Sequence, residues 1–275
     1  MNSLSFAGLI ALLALTASGY ILWKSQQRIQ LLQSQLNEAK AGRQRLQDFL
    51  ASMSHHLRTP LNGVMGYAEY VYSSTSEPMI KFTSKIILEN SLQMLHLVNG
   101  LLDLTKIQEG SLALSNAEFE IQEVVESVRA LHQARANDLK LTLSVHIAHN
   151  APTRMRADPY RVRQVLNNLV DNALNYNKPN GTVVLTVSPS ANGQFITFSV
   201  QDSGQGVPPD VQKTLFMRKQ QKKEPFVLQP NEGAGLGLIL SYQLVDLMGG
   251  VLDYSTQAGQ GSLFFFTLPV REFRH

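Results

Sequence analysis

Amide side chains crowd one short stretch of the sequence, residues 167–177. Asn168, Asn172 and Asn175 are spaced i, i+4 and i+7, so on a helix they form one stripe beside an apolar face that includes Leu169 and Ala173. Asparagine costs roughly half a kcal/mol relative to alanine inside a helix, so the crowding needs a reason. Amide oxygens at the edge of a core suit hydrated Mg²⁺, which prefers oxygen ligands. A polar face rich in capping residues is the alternative.

A carboxylate followed by glycines forms a second candidate site at Asp202. In the strand predicted at Phe195–Val200, the even-numbered residues are apolar and form the core face, and Asp202 has the same parity. A carboxylate directed at the inner face needs a partner, and the exocyclic amino group of adenine would be one. Gly204 and Gly206 allow the backbone to approach a ligand closely. Taken alone, Asp-x-Gly-x-Gly is also consistent with an ordinary turn.

A third candidate site is the glycine-rich segment that opens the helix predicted at Leu236–Met248. Gly233, Gly235 and Gly237, followed by Leu238, would leave backbone N–H groups and the positive end of the helix dipole facing an anion. The segment superficially resembles the Gly-x-Gly-x-x-Gly loop of dinucleotide-binding folds. It has the wrong spacing and does not follow the first strand of a βαβ unit, so that interpretation is rejected.

A candidate nucleophile comes from a heptad pattern between residues 29 and 64. Apolar residues recur at alternating spacings of three and four, which predicts a coiled-coil seam on a long helix, although the Gln-rich residues 26–35 could instead be a solvated linker. In this frame His55 takes position f, the farthest from the seam, His56 takes position g, and Thr59 lies one helical turn after His55. His55 is therefore predicted to face solvent, where a lone histidine is usually an ordinary surface residue.

The elements that must position these residues form two groups. The long helix is followed by a predicted turn at Ser73–Pro78 and a second helix from about Ile80 to Ile107, closed by Glu109 and Gly110. Two such helical hairpins would make a four-helix bundle, so a homodimer is expected.

After Gly110 the pattern is mixed, and it predicts an α+β two-layer sandwich of antiparallel strands with helices on one face. Helices are predicted at Asp158–Tyr176 and Leu236–Met248, and strands at Leu141–Ile147, Thr182–Val187, Phe195–Val200, Val251–Ser255 and Ser262–Leu268.

The first residues predict a membrane-spanning helix. Leu4–Trp23 contains no charged residue and is about long enough to cross the hydrocarbon core. A cleaved secretory signal is the alternative, but Met1–Phe6 has no basic side chain, and apolar residues continue past any plausible cleavage point. Trp23 followed by Lys24 and Arg28 fits an aromatic belt with a basic cytoplasmic flank, so the rest of the chain is expected in the cytoplasm.

Composition excludes several classes of function. The 275 residues include 24 Lys+Arg against 21 Asp+Glu, so there is no basic field for nucleic acid, and no nucleic-acid partner is expected. The absence of cysteine excludes a disulfide scaffold, a thiolate zinc site and a cysteine nucleophile. The expected organisation is a transmembrane anchor at residues 1–23, a coiled-coil linker and helical hairpin at 24–110, and the α+β domain at 111–275.

Five segments, in order, resemble the motifs of bacterial two-component sensor histidine kinases. Residues 54–60, Ser-His-His-Leu-Arg-Thr-Pro, are similar to the phosphoacceptor box Ser-His-Glu-Leu-Arg-Thr-Pro, and this alignment places the phosphoacceptor at His55. Residues 168–176 resemble the N box, residues 202–206 the first glycine box, residues 233–238 the second, and residues 261–264 the short box on the last strand. Each motif is weak or moderate alone, but the five in this order are specific.

The resemblance implies a HisKA-type dimerisation and phosphoacceptor domain followed by a GHKL-type ATP-binding domain, with ATP and Mg²⁺ as cofactors. It implies that Asn172 is the principal Mg²⁺ ligand, supported by Asn168, and that Thr59 serves in dephosphorylation of the receiver. The implied catalytic residues are His55, His56 and Thr59, and the implied nucleotide-binding residues are Asn168, Asn172, Asn175, Tyr176, Asp202, Gly204, Gly206, Gly233, Gly235, Gly237, Leu238 and Ser262.

The expected function is a single-pass sensor kinase of the bacterial cytoplasmic membrane. It would phosphorylate itself on His55 and pass the phosphoryl group to an aspartate on the receiver domain of a separate response regulator. Topoisomerase and chaperone ATPases share the ATP-binding fold but carry a glutamate base four residues before the Mg²⁺-binding asparagine. That position is Asn168 here, which cannot take a proton, so phosphoryl transfer is favoured over hydrolysis.

Three departures from the family pattern keep a second hypothesis open. His56 replaces the usual acidic residue, Asn175 stands where a lysine is common, and Met217 and Arg218 appear where a second aromatic residue is expected after Phe216. The alternative is a catalytically weak, pseudokinase-like membrane dimer that acts as a phosphatase or as a binding partner of another histidine kinase.

Overall fold

The computed structural model describes residues 24, 26–30, 32–33, 37, 57–209, 212 and 236–270. The predicted anchor, His55, His56, Gly233, Gly235 and the loop with Arg218 lie outside these residues. The chain divides into two compact units, Met1–Gly63 and Val64–His275. Among the described residues, no helix is both long enough and apolar enough to cross a membrane.

The described helices before residue 110 agree with the predicted helical region. Helix α1 covers residues 57–74, and helix α2 covers Pro78–Gln108, so only residues 75–77 separate them, within the predicted turn. Pro78 begins α2, where a missing N–H removes no intrahelical hydrogen bond. Gly110 ends this region with φ of +68°, a left-handed conformation that glycine adopts readily after a helix.

The rest of the second unit is an α+β domain. Its elements in chain order are β1 (Ala117–Glu120), α3 (Ile121–Asp138), β2 (Thr142–Ile147), β3 (Arg154–Ala157), α4 (Pro159–Asn175), β4 (Thr182–Pro189), β5 (Phe195–Asp202), α5 (Leu236–Leu247), β6 (Val251–Gln257) and β7 (Gly261–Pro269). The five-stranded sheet has the order β2-β4-β5-β7-β6, and β1 pairs with β3 in a separate two-stranded sheet.

The sheet is mixed rather than wholly antiparallel as expected, because β2 and β4 pair in parallel. A parallel pair needs a long crossover, and the chain supplies one that contains α4. The β1–β3 pair is also absent from the sequence prediction. Each of these strands has only four residues, two apolar and two charged, so the alternation in each is too short to identify a strand.

The core between the sheet and helices α3, α4 and α5 holds the site in place. Phe198 on β5 stacks on Phe266 on β7 with ring centroids 5.0 Å apart. Leu166 and Leu169 on α4 and Leu244 on α5 are fully buried, each contributing about 1.5–3 kcal/mol by its removal from water. This packing fixes the polar edge of α4 beside α5 and the end of β5.

Candidate active site

The polar edge of α4 is set by the helix's own sequence. The Asp158 carboxylate caps the helix by accepting from the backbone N–H groups of Tyr160 at 3.0 Å and Arg161 at 3.1 Å, and Pro159 takes the first position. An apolar face is then buried against the sheet, which leaves the predicted asparagine stripe at its border. The helix ends at Asn175, in agreement with the sequence prediction.

Asn168 joins α4 to the beginning of α5. Its Nδ2 donates to the backbone oxygen of Gly237 at 3.1 Å and to the Ser241 hydroxyl at 3.2 Å. Because the nitrogen of the amide has these two acceptors, Oδ1 remains available as a ligand. The side chain of Asn172, one turn further on, is half-buried, and no described residue is hydrogen-bonded to it. The oxygens of Asn168 and Asn172 therefore fit the donor set that Mg²⁺ prefers.

Asn175 belongs to a different contact network. Its Oδ1 accepts from a guanidinium nitrogen of Arg135 on α3 at 2.6 Å, and a second nitrogen of Arg135 contacts Asp171 at 3.0 Å. The buried His132 on α3 lies 3.2 Å from Asn167 through Nε2 and 3.4 Å from Asp171 through Nδ1. Sequence reasoning did not identify this network, because no local pattern around Arg135 or His132 indicates which residue of α4 each one contacts.

Asp202 is buried at the end of β5, as the strand alternation predicts, with 7 % of its surface exposed. Its Oδ1 accepts from the backbone N–H groups of Gly204 at 2.7 Å and Ser262 at 3.2 Å. Burial raises the pKa of the Asp202 carboxyl above its ordinary value, and these two hydrogen bonds oppose that rise. No described residue donates to Oδ2, so this oxygen is free for a ligand donor such as an amino group.

Glycines bring three backbone segments into contact around Asp202. A Cβ on Gly204 would overlap the backbone oxygen of Tyr176, and a Cβ on Gly261 would overlap that of Asp202. Gly206 has φ of +75°, and its Cβ would lie 2.6 Å from the backbone oxygen of Gln257. The ends of β5 and α4 and the start of β7 therefore meet at distances that no side chain permits.

The remaining predicted residues fall into three groups. Tyr176 caps the C-terminal end of α4 with its ring exposed, and Gly237 and Leu238 lie in the first turn of α5. Because Leu238 is buried in the core, it can contact a ligand only through its backbone. Ser262 is buried and lies beside Thr256, with their hydroxyls 3.0 Å apart. Thr59 is an exposed residue of α1 in the first unit.

Alanine in place of Gly204 is expected to destabilise the domain by about 3 kcal/mol and to weaken nucleotide binding, since it separates β5 from the end of α4. Gly193→Ala is the matched control. Gly193 has φ of +68° with nothing near its Cβ position, so it should cost only about 1 kcal/mol for the backbone conformation. Urea denaturation and ADP titration measure both effects. Equal losses in the two variants would contradict the steric role of Gly204.

A partly buried ion pair that sequence reasoning also missed connects α2 to α4. Arg161 contacts Asp103 at 2.6 Å, and the side chains are only 12 % and 15 % exposed. Gln164 donates to the same carboxylate oxygen at 3.0 Å. Next to this pair, a Cβ on Gly100 would lie 3.5 Å from the side chain of Leu236, so α2 also packs closely against α5.

Together with the family models that match the two regions, the fold and site define the class of the protein as an ATP-binding domain preceded by a phosphoacceptor helical region. Residues 157–272 match the family described as histidine kinase-, DNA gyrase B- and HSP90-like ATPase. Residues 45–110 match the His Kinase A (phospho-acceptor) domain family.

Three similar proteins extend this comparison. The chain is 33% identical to the sensory/regulatory protein RpfC of Xanthomonas campestris pv. campestris, over 86% of this chain and 33% of that protein. It is 35% identical to the circadian input-output histidine kinase CikA of Synechococcus elongatus, over 88% of this chain and 32% of that protein. The crystal structure of full-length ShkA in complex with AMPPNP superposes with a TM-score of 0.63 at 33% identity, covering 81% of this chain and 45% of that one.

The chain belongs to the two-component sensor histidine kinases, and it carries the two domains of a protein-histidine kinase. It spans about a third of the length of the curated relatives that it matches.

Proposed function

We propose that this chain phosphorylates itself on His55 from Mg-ATP and passes the phosphoryl group to an aspartate on the receiver domain of a separate response regulator. The observation that supports this most directly is the state of Asp202. Backbone N–H groups hold one of its carboxylate oxygens, and no described residue donates to the other, so the chain offers an acceptor suited to the adenine amino group. The phosphoacceptor box at residues 54–60 supplies the nucleophile in the same polypeptide.

The chain's own groups account for the steps of the reaction. Asp202 orients the adenine, and the N-terminal end of α5 faces the phosphates with its positive dipole. When bound, Mg²⁺ held by Asn172 and Asn168 would offset charge on the phosphates. A neutral ring nitrogen of His55 attacks the γ-phosphorus, so that an N–P bond forms while the bond to the bridging β-phosphate oxygen breaks and ADP leaves. Asn168 cannot act as a base toward water, which favours transfer over hydrolysis.

The proposal includes a homodimer formed by the helical region. Large apolar and aromatic side chains are exposed along α1 and α2, with 78% of Tyr67, 69% of Tyr70 and 62% of Phe82 accessible. A run of this kind exceeds the scattered exposed apolar residues of ordinary surfaces and suits a helix–helix interface. Analytical ultracentrifugation of the full chain in detergent should give twice the monomer mass. A monomer at micromolar concentration would contradict the dimer.

The proposal also includes single-pass anchoring in the bacterial cytoplasmic membrane through residues 4–23. The support is the uncharged length of this segment and the basic residues that follow it, Lys24 and Arg28. The chain should remain in the membrane fraction after a carbonate wash. Recovery of the intact chain in the wash would contradict the anchor.

The test of the kinase activity is incorporation of phosphate from labelled ATP into the full chain in detergent with Mg²⁺. The expected product is labelled protein whose phosphate is lost in acid and stable in base, as a phosphoimidazole is, with no label when EDTA removes the metal. His56→Glu should label faster, because it restores the acidic neighbour typical of the family. An unlabelled wild type, with label appearing in His56→Glu, would support the weak-kinase alternative instead.

A further inference from the structure

A cavity of about 330 Å³ lies between α2, α4 and the first turn of α5. One wall is formed by Asn168 and Gly237, the residues to which the proposed function assigns the metal and phosphate end of the nucleotide. The opposite wall is formed by α2, including His96 and Asn99. The cavity therefore extends the nucleotide site beyond its phosphate end, toward the helical region.

The carboxylates that line this cavity already have cationic partners. Asp103 is paired with Arg161 at 2.6 Å, and Asp171 is paired with Arg135 at 3.0 Å. Neither carboxylate therefore adds an uncompensated negative charge to the cavity. A guanidinium in the same cavity that is not paired would then present a positive charge to whatever enters.

Arg163 on α4 is such a guanidinium. It lines the cavity, its Nε is buried without a hydrogen-bond partner, and it forms no ion pair with any carboxylate among the described residues. A buried donor without a partner is costly, and a native structure retains one when a ligand or another group satisfies it. Arg161, two residues earlier on the same helix, shows the contrast, because Asp103 and Gln164 occupy its guanidinium.

We propose that Arg163 binds the terminal phosphoryl group of ATP in this cavity, an inference that rests on the proposed function. The planar guanidinium can donate two parallel hydrogen bonds to two phosphoryl oxygens, and its Nε is already buried from water. ADP lacks the group that Arg163 contacts. Arg163 thus makes the site distinguish ATP from ADP and loses its ligand when the phosphoryl group has been transferred.

The test compares the dissociation constants of the non-hydrolysable analogue AMPPNP and of ADP for the full chain in detergent with Mg²⁺. Arg163→Ala should weaken AMPPNP binding by roughly tenfold or more and leave ADP binding within about twofold of wild type. Arg163→Lys should lie between the two, since it keeps the charge and loses the two-pronged geometry. Arg129→Ala is the control, because it removes an equal positive charge from a residue that does not line the cavity and is paired with Glu126 at 2.7 Å, and it should leave the AMPPNP to ADP ratio unchanged.

The assignment would be overturned if each of Arg163→Ala and Arg163→Lys lost affinity for AMPPNP and for ADP to the same extent, or lost affinity for neither. Should Arg163→Ala fail to fold by circular dichroism, the ratio measured for Arg163→Lys decides. A fall in the ratio for Arg129→Ala as large as that for Arg163→Ala would also overturn it, since the effect would then be one of general charge. A wild-type chain that binds neither nucleotide would instead refute the proposed function.

Discussion

Alanine in place of His55 is expected to reduce acid-labile labelling from ATP to background, because the substitution removes the only proposed nitrogen nucleophile while leaving the ATP-binding domain intact. Phosphoryl transfer depends on a group that attacks in line, and His56, which takes a different position in the heptad frame, is not expected to replace the missing nucleophile. The effect is measured by incubating the chain with labelled ATP, separating the protein from free nucleotide and quantifying the label that stays with the protein. AMPPNP binding should be unchanged in the same variant, which shows that the loss concerns the acceptor and not the nucleotide site.

His56→Ala is the matched control for His55→Ala, since it removes the adjacent imidazole. In the heptad frame His56 takes position g, beside the seam, whereas His55 takes position f, the farthest from it. His56→Ala should slow labelling without abolishing it, because His56 would only orient its neighbour. Label that survives His55→Ala, or that disappears in His56→Ala while His55 is present, would contradict the assignment of the phosphoacceptor.

Asparagine in place of Asp202 is expected to lower nucleotide affinity and to raise the stability of the fold at pH 7. Its amide oxygen still accepts from the backbone N–H groups of Gly204 and Ser262, so the local structure is retained. Its amide nitrogen is a hydrogen-bond donor, as the adenine amino group is, so the two groups cannot hydrogen-bond to each other. Nucleotide affinity should therefore fall roughly 100-fold. Loss of affinity without loss of structure would separate the binding role of Asp202 from its structural role.

The effect of Asp202→Asn on stability should depend on pH. Burial raises the pKa of Asp202 above its ordinary value near 3.8, so the folded chain binds this proton more tightly than the unfolded chain. This tighter proton binding stabilises the folded chain fully when the pH is below the ordinary pKa, and the stabilisation is lost as the pH rises through the raised pKa. Asp202→Asn should therefore melt at a higher temperature than wild type at pH 7, and this difference should shrink as pH falls toward 4.

Asp138→Asn is the control for the change in charge. Its carboxylate is exposed and paired with Lys85 at 3.2 Å, a surface ion pair of little stabilising value. It should leave both the melting temperature and ADP affinity near wild type. Wild-type nucleotide affinity in Asp202→Asn would refute the role of Asp202 in binding adenine. A lower melting temperature for that variant at pH 7 would show that its ionised form stabilises the fold.

The sequence alone determined which residues share a face and where the backbone must come close. Strand alternation predicted that Asp202 is buried, and helical spacing predicted that Asn168 and Asn172 border an apolar face; both are properties of a single element. The glycines at positions 204 and 206 likewise predicted a close approach of the backbone. These signals are local, because side-chain direction repeats with the period of the element that carries it.

Only the tertiary structure decided which of these residues meet. Ser262 donates to Asp202 from 60 residues away, and Arg161 pairs with Asp103 across 58 residues. The parallel pairing of β2 with β4 and the contact of Arg135 with Asn175 also join separate elements. Such contacts follow from how the elements pack around a shared core, and packing leaves no periodic trace in either segment. For the same reason, no single segment predicts the cavity at Arg163, which forms only where α2, α4 and α5 pack together.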